Sequence, residues 1–126
     1  SKGYKRALMK RFNIENTAID LKSIFKKYPE LNPNDTNLDP NNPYQRVLIH
    51  VLIEEEETET IDYLLNQAAI KADPNILDSK TNMTPLCSAI QDGYIEIVKL
   101  LLKAGADVNL PAEGMTPCQW ASCHGQ

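Results

Sequence analysis

The chain contains an internal repeat, and this repeat limits the possible folds more than any other feature of the sequence. The ten residues from Thr84 to Gly93 read TPLCSAIQDG, and the ten from Thr116 to Gly125 read TPCQWASCHG. The two segments begin 32 residues apart. A period close to this length is typical of arrays of small stacked units, because one unit cannot bury its apolar face alone.

Each copy opens with residues that favour the start of a helix. The hydroxyl of Thr84 can cap the first turn, and Pro85 suits the first helical position, where no backbone N–H is needed. The face expected to be buried carries small or apolar side chains at helical spacing, namely Leu86, Ala89 and Ile90. The sequence therefore predicts a short helix that begins at Pro85.

A second helix is predicted after Gly93, which should end the first one. The apolar residues of the next segment recur at helical spacing. Their predicted buried stripe consists of Ile95, Val98, Leu101 and Leu102. Gly105 should supply the left-handed residue that closes this second helix, and Asn82 tolerates the positive φ that the preceding turn requires. The pattern predicts two antiparallel helices joined by short turns.

The unit from Asp78 to Leu110 resembles the ankyrin repeat. The resemblance rests on the Thr-Pro-Leu opening, on Ala89 and Gly93, on the apolar second helix, and on the closing segment Gly105-Ala106-Asp107-Val108-Asn109. It implies an all-α fold, an ankyrin-repeat solenoid of stacked antiparallel helix pairs. About three and a half units are expected, with an atypical N-terminal helical pair.

The remaining parts of the chain follow this pattern less closely. Asn42-Pro43-Tyr44 stands where Thr-Pro-Leu would be, which leaves eight extra residues in the helices of that unit or in its turn from Glu54 to Thr60. An earlier helix pair would cap the array, and Glu30-Leu31-Asn32-Pro33-Asn34 would echo the end of a repeat. The predicted parts are a capping unit with its loop at 1–39, a degenerate repeat at 40–77, a clear repeat at 78–110, and an incomplete repeat at 111–126. Because the last part has only a first helix, we expect the sequence to be a fragment of a longer protein.

The resemblance also implies where a partner would bind. In ankyrin arrays the loop tips and the exposed side of each first helix line a concave groove, whose variable residues select the partner. Carried over to this sequence, the partner-binding positions are Lys80, Thr81, Met83, Gln91 and Asp92 in one repeat, and Ala112, Glu113, Met115, Cys123 and His124 in the next. The alternative for each position is simple solvation.

These positions favour a protein–protein interaction module that serves as an adaptor, scaffold or targeting segment. The alternative is the substrate-recruiting part of an enzyme or a bacterial effector whose catalytic domain lies outside this chain. The partner is expected to be another protein, and no nucleic acid is expected. We also expect the full-length protein to be a monomer, since association through the apolar Trp120 would arise only in a fragment.

No group of residues predicts catalysis, a metal site or a cofactor. Cys118, Cys123 and His124 form the one tempting cluster, but a metal or nucleophilic site needs such side chains to converge. Cys118 aligns with Leu86 and should face the core, whereas the other two should face solvent. Cys87 occupies a position where the resemblance implies a His that bonds loop backbone, so we expect a buried, inert thiol. The common phosphate-binding and hydrolase motifs are absent from the sequence.

Charge is unevenly distributed along the chain, whose net charge is -4. Residues 1–30 contain eight Lys or Arg and three acidic residues, so the remainder carries a net charge of -9. The basic segment could contact nucleic acid or an anionic membrane, but we expect it to be solvated. The acidic run 54–59 could dock a basic partner, but we expect it to be solvated as well. The apolar stretch 47–53 is far shorter than the roughly 20 residues that span a membrane.

The cysteine count favours a reducing compartment. Three cysteines cannot all pair within one chain, and unpaired thiols are typical of proteins that stay inside cells. We therefore predict an intracellular, cytoplasmic location, or the host-cell cytoplasm if the chain belongs to a bacterial effector.

Overall fold

A computed structural model describes residues 1–109. Within this range the chain forms helices joined by turns and loops, without a strand. The elements are α1 (Lys2–Arg11), α2 (Leu21–Lys27), α3 (Leu48–Glu54), α4 (Thr58–Asp62) with a π-helical continuation (Tyr63–Gln67), α5 (Pro85–Gln91) and α6 (Ile95–Lys103). This helical architecture agrees with the predicted all-α solenoid.

Helix α5 begins and ends as predicted. The Thr84 hydroxyl accepts a hydrogen bond from the Cys87 backbone N–H at 3.1 Å, and Pro85 occupies the first turn. After the helix, Gly93 has φ 72°, and the N–H groups of Gly93 and Tyr94 bond to carbonyls of the last turn. This arrangement satisfies carbonyl groups that a helix end would otherwise leave without partners.

The same left-handed residue recurs at the ends of earlier helices and defines the repeat register. Asn13 (φ 54°) follows α1 and Glu56 (φ 53°) follows α3, as Gly93 follows α5. In the loops that precede α3 and α5, Gln45 (φ 48°) corresponds to Asn82 (φ 58°). Residues 47–49 therefore correspond to Thr-Pro-Leu in the second unit.

The predicted register of the second unit, anchored on Asn42-Pro43-Tyr44, is wrong. Pro43 lies in a loop, and α3 begins five residues later at Leu48. Val47 precedes this helix without a capping side chain, so the sequence carries no start signal there. Pro43 in the upstream loop gave a misleading helix-start signal.

The extra residues of the second unit lie at the end of its second helix. The turn between α3 and α4 has three residues, like the turn between α5 and α6, so of the two predicted alternatives the longer turn is wrong. Instead, the π-helical segment follows α4, and the Ala72 N–H bonds to the Leu64 carbonyl at 2.8 Å. The Ala106 N–H makes the equivalent bond to the Leu101 carbonyl across a shorter span.

Helix α6 buries a different stripe from the one predicted. Ile97 and Leu101 are buried, whereas Ile95 and Leu102 are 67% and 45% exposed. Only Leu101 of the predicted buried stripe is fully buried, and Val98 is half-buried. Ile97 and Leu101 stand one helical turn apart on the face that meets the other helices, while Ile95 and Val98 border a shallow apolar cleft beside α5.

The N-terminal pair joins the same core but is not a simple helical hairpin. Ile24 and Leu8 are fully buried in the core that continues through α3 to α6. The Phe12 and Tyr28 rings stack with centroids 3.9 Å apart, so α1 and α2 end beside each other. The linker between them must double back, which makes this pair atypical, as predicted.

Asparagine side chains tie the ends of successive units together. The Asn34 Oδ1 atom accepts a hydrogen bond from the Asp73 N–H at 2.6 Å, and the Asn75 Oδ1 atom accepts one from the Asp107 N–H at 2.8 Å. The segment 32–34 therefore does echo the end of a repeat. Among the described helices, none is long and apolar enough to cross a membrane.

Candidate functional site

A buried ion network holds together the two loops that precede α3 and α5. The guanidinium of Arg46 donates to both carboxylate oxygens of Asp78, from Nε at 3.0 Å and from Nη2 at 2.8 Å. Its Nη1 atom donates to Glu54 at 3.1 Å. The side chain of Asp78 is 1% exposed and that of Arg46 is 8% exposed. Such two-pronged pairs fix geometry more firmly than a single ion contact.

Asp78 also shapes its own loop. Its carboxylate accepts hydrogen bonds from the Lys80 N–H at 3.2 Å and from the Thr81 hydroxyl at 2.9 Å. Its backbone N–H bonds to the Met83 carbonyl and its carbonyl accepts from the Asn82 N–H. Burial opposes ionisation of this carboxyl, but the Arg46 hydrogen bonds and the loop donors outweigh it, so the pKa of Asp78 lies below its ordinary value.

The preceding loop is anchored to α1 and carries an exposed aromatic ring. The Tyr4 hydroxyl donates to the Arg46 carbonyl at 2.6 Å and accepts from the Asn42 amide at 3.1 Å, and burial raises the pKa of Tyr4 to about 12. The Ser79 hydroxyl donates to the Tyr44 carbonyl at 2.7 Å. Tyr44 is 53% exposed, with the Lys80 ammonium 6.0 Å from the centroid of its ring. The two loop tips therefore present an aromatic ring and a cation side by side.

His50 is hydrogen-bonded to the loop that precedes α5. It occupies the position in α3 that Cys87 occupies in α5, and its Nε2 atom lies 2.7 Å from the Ile76 carbonyl, which can only accept a hydrogen bond. The Nε2 atom must therefore carry the proton, and the buried Nδ1 atom has no partner in the described part of the chain. Burial lowers the pKa of His50 and favours its neutral form.

The ends of the first helices carry the remaining exposed polar groups. Gln91 and Asp92 at the end of α5 are exposed, and so are the equivalent residues Glu54 and Glu55 at the end of α3. Hydrogen bonds from Arg46 hold the pKa of Glu54 below its ordinary value. We call this surface the groove set: Tyr44, Glu54, Glu55, Lys80, Gln91 and Asp92. It combines one exposed ring and one cation with three carboxylates.

Comparison with known families decides what kind of repeat this is. A family model described as ankyrin repeats in three copies matches residues 49–126. The chain belongs to the ankyrin repeat family. The match begins within α3, so α1 and α2 lie outside it. A search of curated proteins found no match. Ankyrin repeats generally act as protein–protein interaction modules and are typically not catalytic.

The predicted partner-binding residues of the central ankyrin repeat differ in accessibility. Lys80, Gln91 and Asp92 are exposed, whereas Thr81 is half-buried and uses its hydroxyl to bond Asp78. Met83 is only 7% exposed and offers a partner little surface. The other five predicted positions lie outside the described residues: Ala112, Glu113, Met115, Cys123 and His124. The metal candidate Cys118 lies outside them as well.

Sequence reasoning missed Tyr44 and His50, and it expected Glu54 and Glu55 to be solvated members of an acidic run. All four belong to the second ankyrin unit, whose register was misassigned. The signal that could have found them is the spacing of 37 residues that relates His50 to Cys87 and Glu54 to Gln91. Cys87 itself is buried, as expected.

Proposed function

We propose that this chain is a protein-binding module that grips a partner through the groove set. The observation that carries this proposal is the rigid mounting of its exposed groups. The tips that present Tyr44 and Lys80 are fixed by the buried contact between Arg46 and Asp78. A surface held in place before binding loses less conformational entropy when a partner arrives, which favours affinity.

The composition of the groove set supports a partner with positive charge. Asp92 is an exposed carboxylate without an ion pair among the described residues, whereas Glu54 is paired with Arg46 and the exposed Glu55 accepts from the Ser1 ammonium. Tyr44 adds an aromatic face, and tyrosine is enriched among residues that dominate binding energy at interfaces. The ring can also attract a cation from a partner. A lysine- or arginine-bearing protein segment fits this surface.

The test is capture of proteins from a cell lysate by the parent chain and by a groove variant. The groove variant combines Glu55→Arg and Asp92→Arg. The matched control combines Glu59→Arg and Glu96→Arg, which change the net charge equally at exposed positions in the second helices of the same two units. Circular dichroism melting checks that each variant folds.

The proposal predicts that the parent and the control retain the same protein and that the folded groove variant loses it. Reversing two carboxylates removes attraction and adds repulsion toward a basic segment, so at least about a tenfold loss of affinity is expected. Equal retention by all three chains, or loss by the control as well, would show that the groove set does not select the partner.

A further inference from the structure

Helix α1 carries a row of cations on the face opposite the core. Tyr4 and Leu8 are buried, whereas Lys2, Arg6 and Lys10 are exposed. These three residues stand four apart, so they form a stripe with a rise of about 6 Å from one to the next. The helix contains no acidic residue. The exposed face of α1 therefore carries only positive charges, with Glu15 and Asp35 of the neighbouring segments near its Lys10 end.

These cations are not used to hold the fold together. Within residues 1–109, none of the three makes an ion pair or a side-chain hydrogen bond. Arg46, by contrast, is locked between two carboxylates. Uncompensated charges on one face raise the local potential and attract anions.

Two of these cations, Lys2 and Arg6, border a shallow depression with a mainly apolar lining. Lys2, Lys5 and Arg6 border it together with Met9 and Thr17. The Lys5 ammonium donates to the Thr17 carbonyl at 2.8 Å, so its aliphatic stem lies along the surface. The site offers apolar groups in the middle and charge at the rim.

This combination fits an anionic lipid surface better than a nucleic acid. Single-stranded nucleic acids are commonly held by aromatic rings that stack on bases. The rings of this unit are occupied in packing, since Tyr4 and Phe25 are buried and Phe12 stacks on Tyr28. Lipid headgroups instead need flexible cations, and the region just below them accepts apolar side chains such as Met9.

We propose that this face of α1 docks the chain on membranes rich in anionic phospholipid. The ammonium and guanidinium groups contact lipid phosphates and carboxylates, and Met9 touches the upper acyl region. The groove set lies on the second and third units and meets the N-terminal end of α1 where the Ser1 ammonium pairs with Glu55, so a partner and a membrane use adjoining but different residues. This proposal does not depend on the proposed protein partner.

The probe is sedimentation with vesicles of phosphatidylcholine containing about 30% phosphatidylserine, compared with vesicles of phosphatidylcholine alone. The test variant combines Lys2→Gln, Arg6→Gln and Lys10→Gln. The matched control combines Lys71→Gln, Lys99→Gln and Lys103→Gln, three exposed cations outside α1. Glutamine keeps the helix propensity close to that of lysine and arginine, so both variants should fold.

The proposal predicts binding to the anionic vesicles only. The test variant should bind about 100-fold more weakly, since each basic residue near such a surface contributes about fivefold. The control should bind like the parent, and raising the salt from about 0.1 M to about 0.5 M should release both.

Three outcomes would overturn the proposal. They are absence of binding to anionic vesicles, an equal loss in the control variant, and α1-dependent binding to single-stranded DNA or polyglutamate without binding to the vesicles. The last outcome would assign the face to an acidic polymer and not to a lipid surface.

Discussion

The carboxylate of Asp78 connects two loops, and its removal should damage the fold more than any change at the rim of the network. We predict that Asp78→Asn lowers the free energy of unfolding by about 3 kcal/mol, because the Arg46 guanidinium would keep a buried charge without its main counterion. Glu54→Gln should cost about 1 kcal/mol or less, since the Glu54 side chain is 46% exposed. Urea denaturation measures both.

The effects of Asp78→Asn and Glu54→Gln on the free energy of unfolding can also contradict this prediction. If Asp78→Asn and Glu54→Gln cost the same, the buried contact with Asp78 does not anchor the loops. A double variant, Arg46→Met with Asp78→Leu, replaces both charged partners by apolar side chains and so shows how much of the loss in stability comes from an unpaired charge. It should be more stable than Asp78→Asn alone, because it leaves no unpaired charge inside.

His50 should make the stability of the fold depend on pH. Burial lowers its pKa in the folded state from the ordinary 6.5, so the unfolded chain takes up a proton first as the pH falls. The stability that this neutral imidazole contributes is present above pH 6.5 and is lost as the pH falls below that value. We predict a lower urea midpoint at about pH 5.5 than at about pH 7.5.

The control for this prediction comes from the chain itself. His50→Cys introduces the residue that the third unit carries at the equivalent position, Cys87, and removes the titrating group. Asp78 and Glu54 have lowered pKa values and stay ionised throughout this pH range. A pH dependence that persists unchanged in His50→Cys would assign the effect to another group.

At the scale of helices, the second residue after the end of each first helix adopts a left-handed conformation. Only one of these three residues is glycine. Glu56 has φ 53° at the position that Gly93 fills after α5. A non-glycine residue with a Cβ atom pays about 1 kcal/mol for this conformation. We predict that Glu56→Gly raises the free energy of unfolding by about 1 kcal/mol and that Gly93→Ala lowers it by a similar amount. Thermal and urea unfolding measure both changes.

A fall in the free energy of unfolding on Glu56→Gly would contradict this prediction. If Glu56→Gly destabilises the chain, the glutamate side chain contributes more than the strain costs. The register that equates Glu56 with Gly93 rests on backbone geometry and would stand.

The elements that sequence predicted well are those with strong local signals. Thr84 and Pro85 start α5, Gly93 ends it, and each acts through its own backbone chemistry. The start of α3 has no such signal because Val47 lacks a capping group. Its place is set by burial of apolar residues in the stack, which only the assembled fold reveals.

The candidate site was predictable to a similar extent. Gln91 and Asp92 follow from the repeat pattern and are exposed, whereas the burial of Met83 depends on how its loop folds over the core. Tyr44 and Glu55 could not be found without the correct register of the second unit. The π-helical segment 63–67 shifts the end of that unit; sequence spacing showed that the unit is long but did not show where the extra residues lie.

At the scale of the whole molecule, charge distinguishes two candidate surfaces, which meet at the ion pair between Ser1 and Glu55. The N-terminal unit carries an unpaired basic face, and the second and third units carry the groove set with its three carboxylates. A series of buried hydrogen bonds from Tyr4 through Arg46 to Asp78 links the N-terminal unit to the loops of the second and third units. We therefore expect an interaction module that binds a protein through the groove set and an anionic membrane through α1.

The central claim is that a protein partner is gripped by the groove set. Hydrogen–deuterium exchange of the chain, with and without the protein it captures from lysate, tests it most directly. The account predicts slower exchange on binding in the loops 42–46 and 78–83 and at the ends of α3 and α5, with the outer face of α6 unchanged. Protection confined to α4 and α6, or to the N-terminal pair, would contradict it.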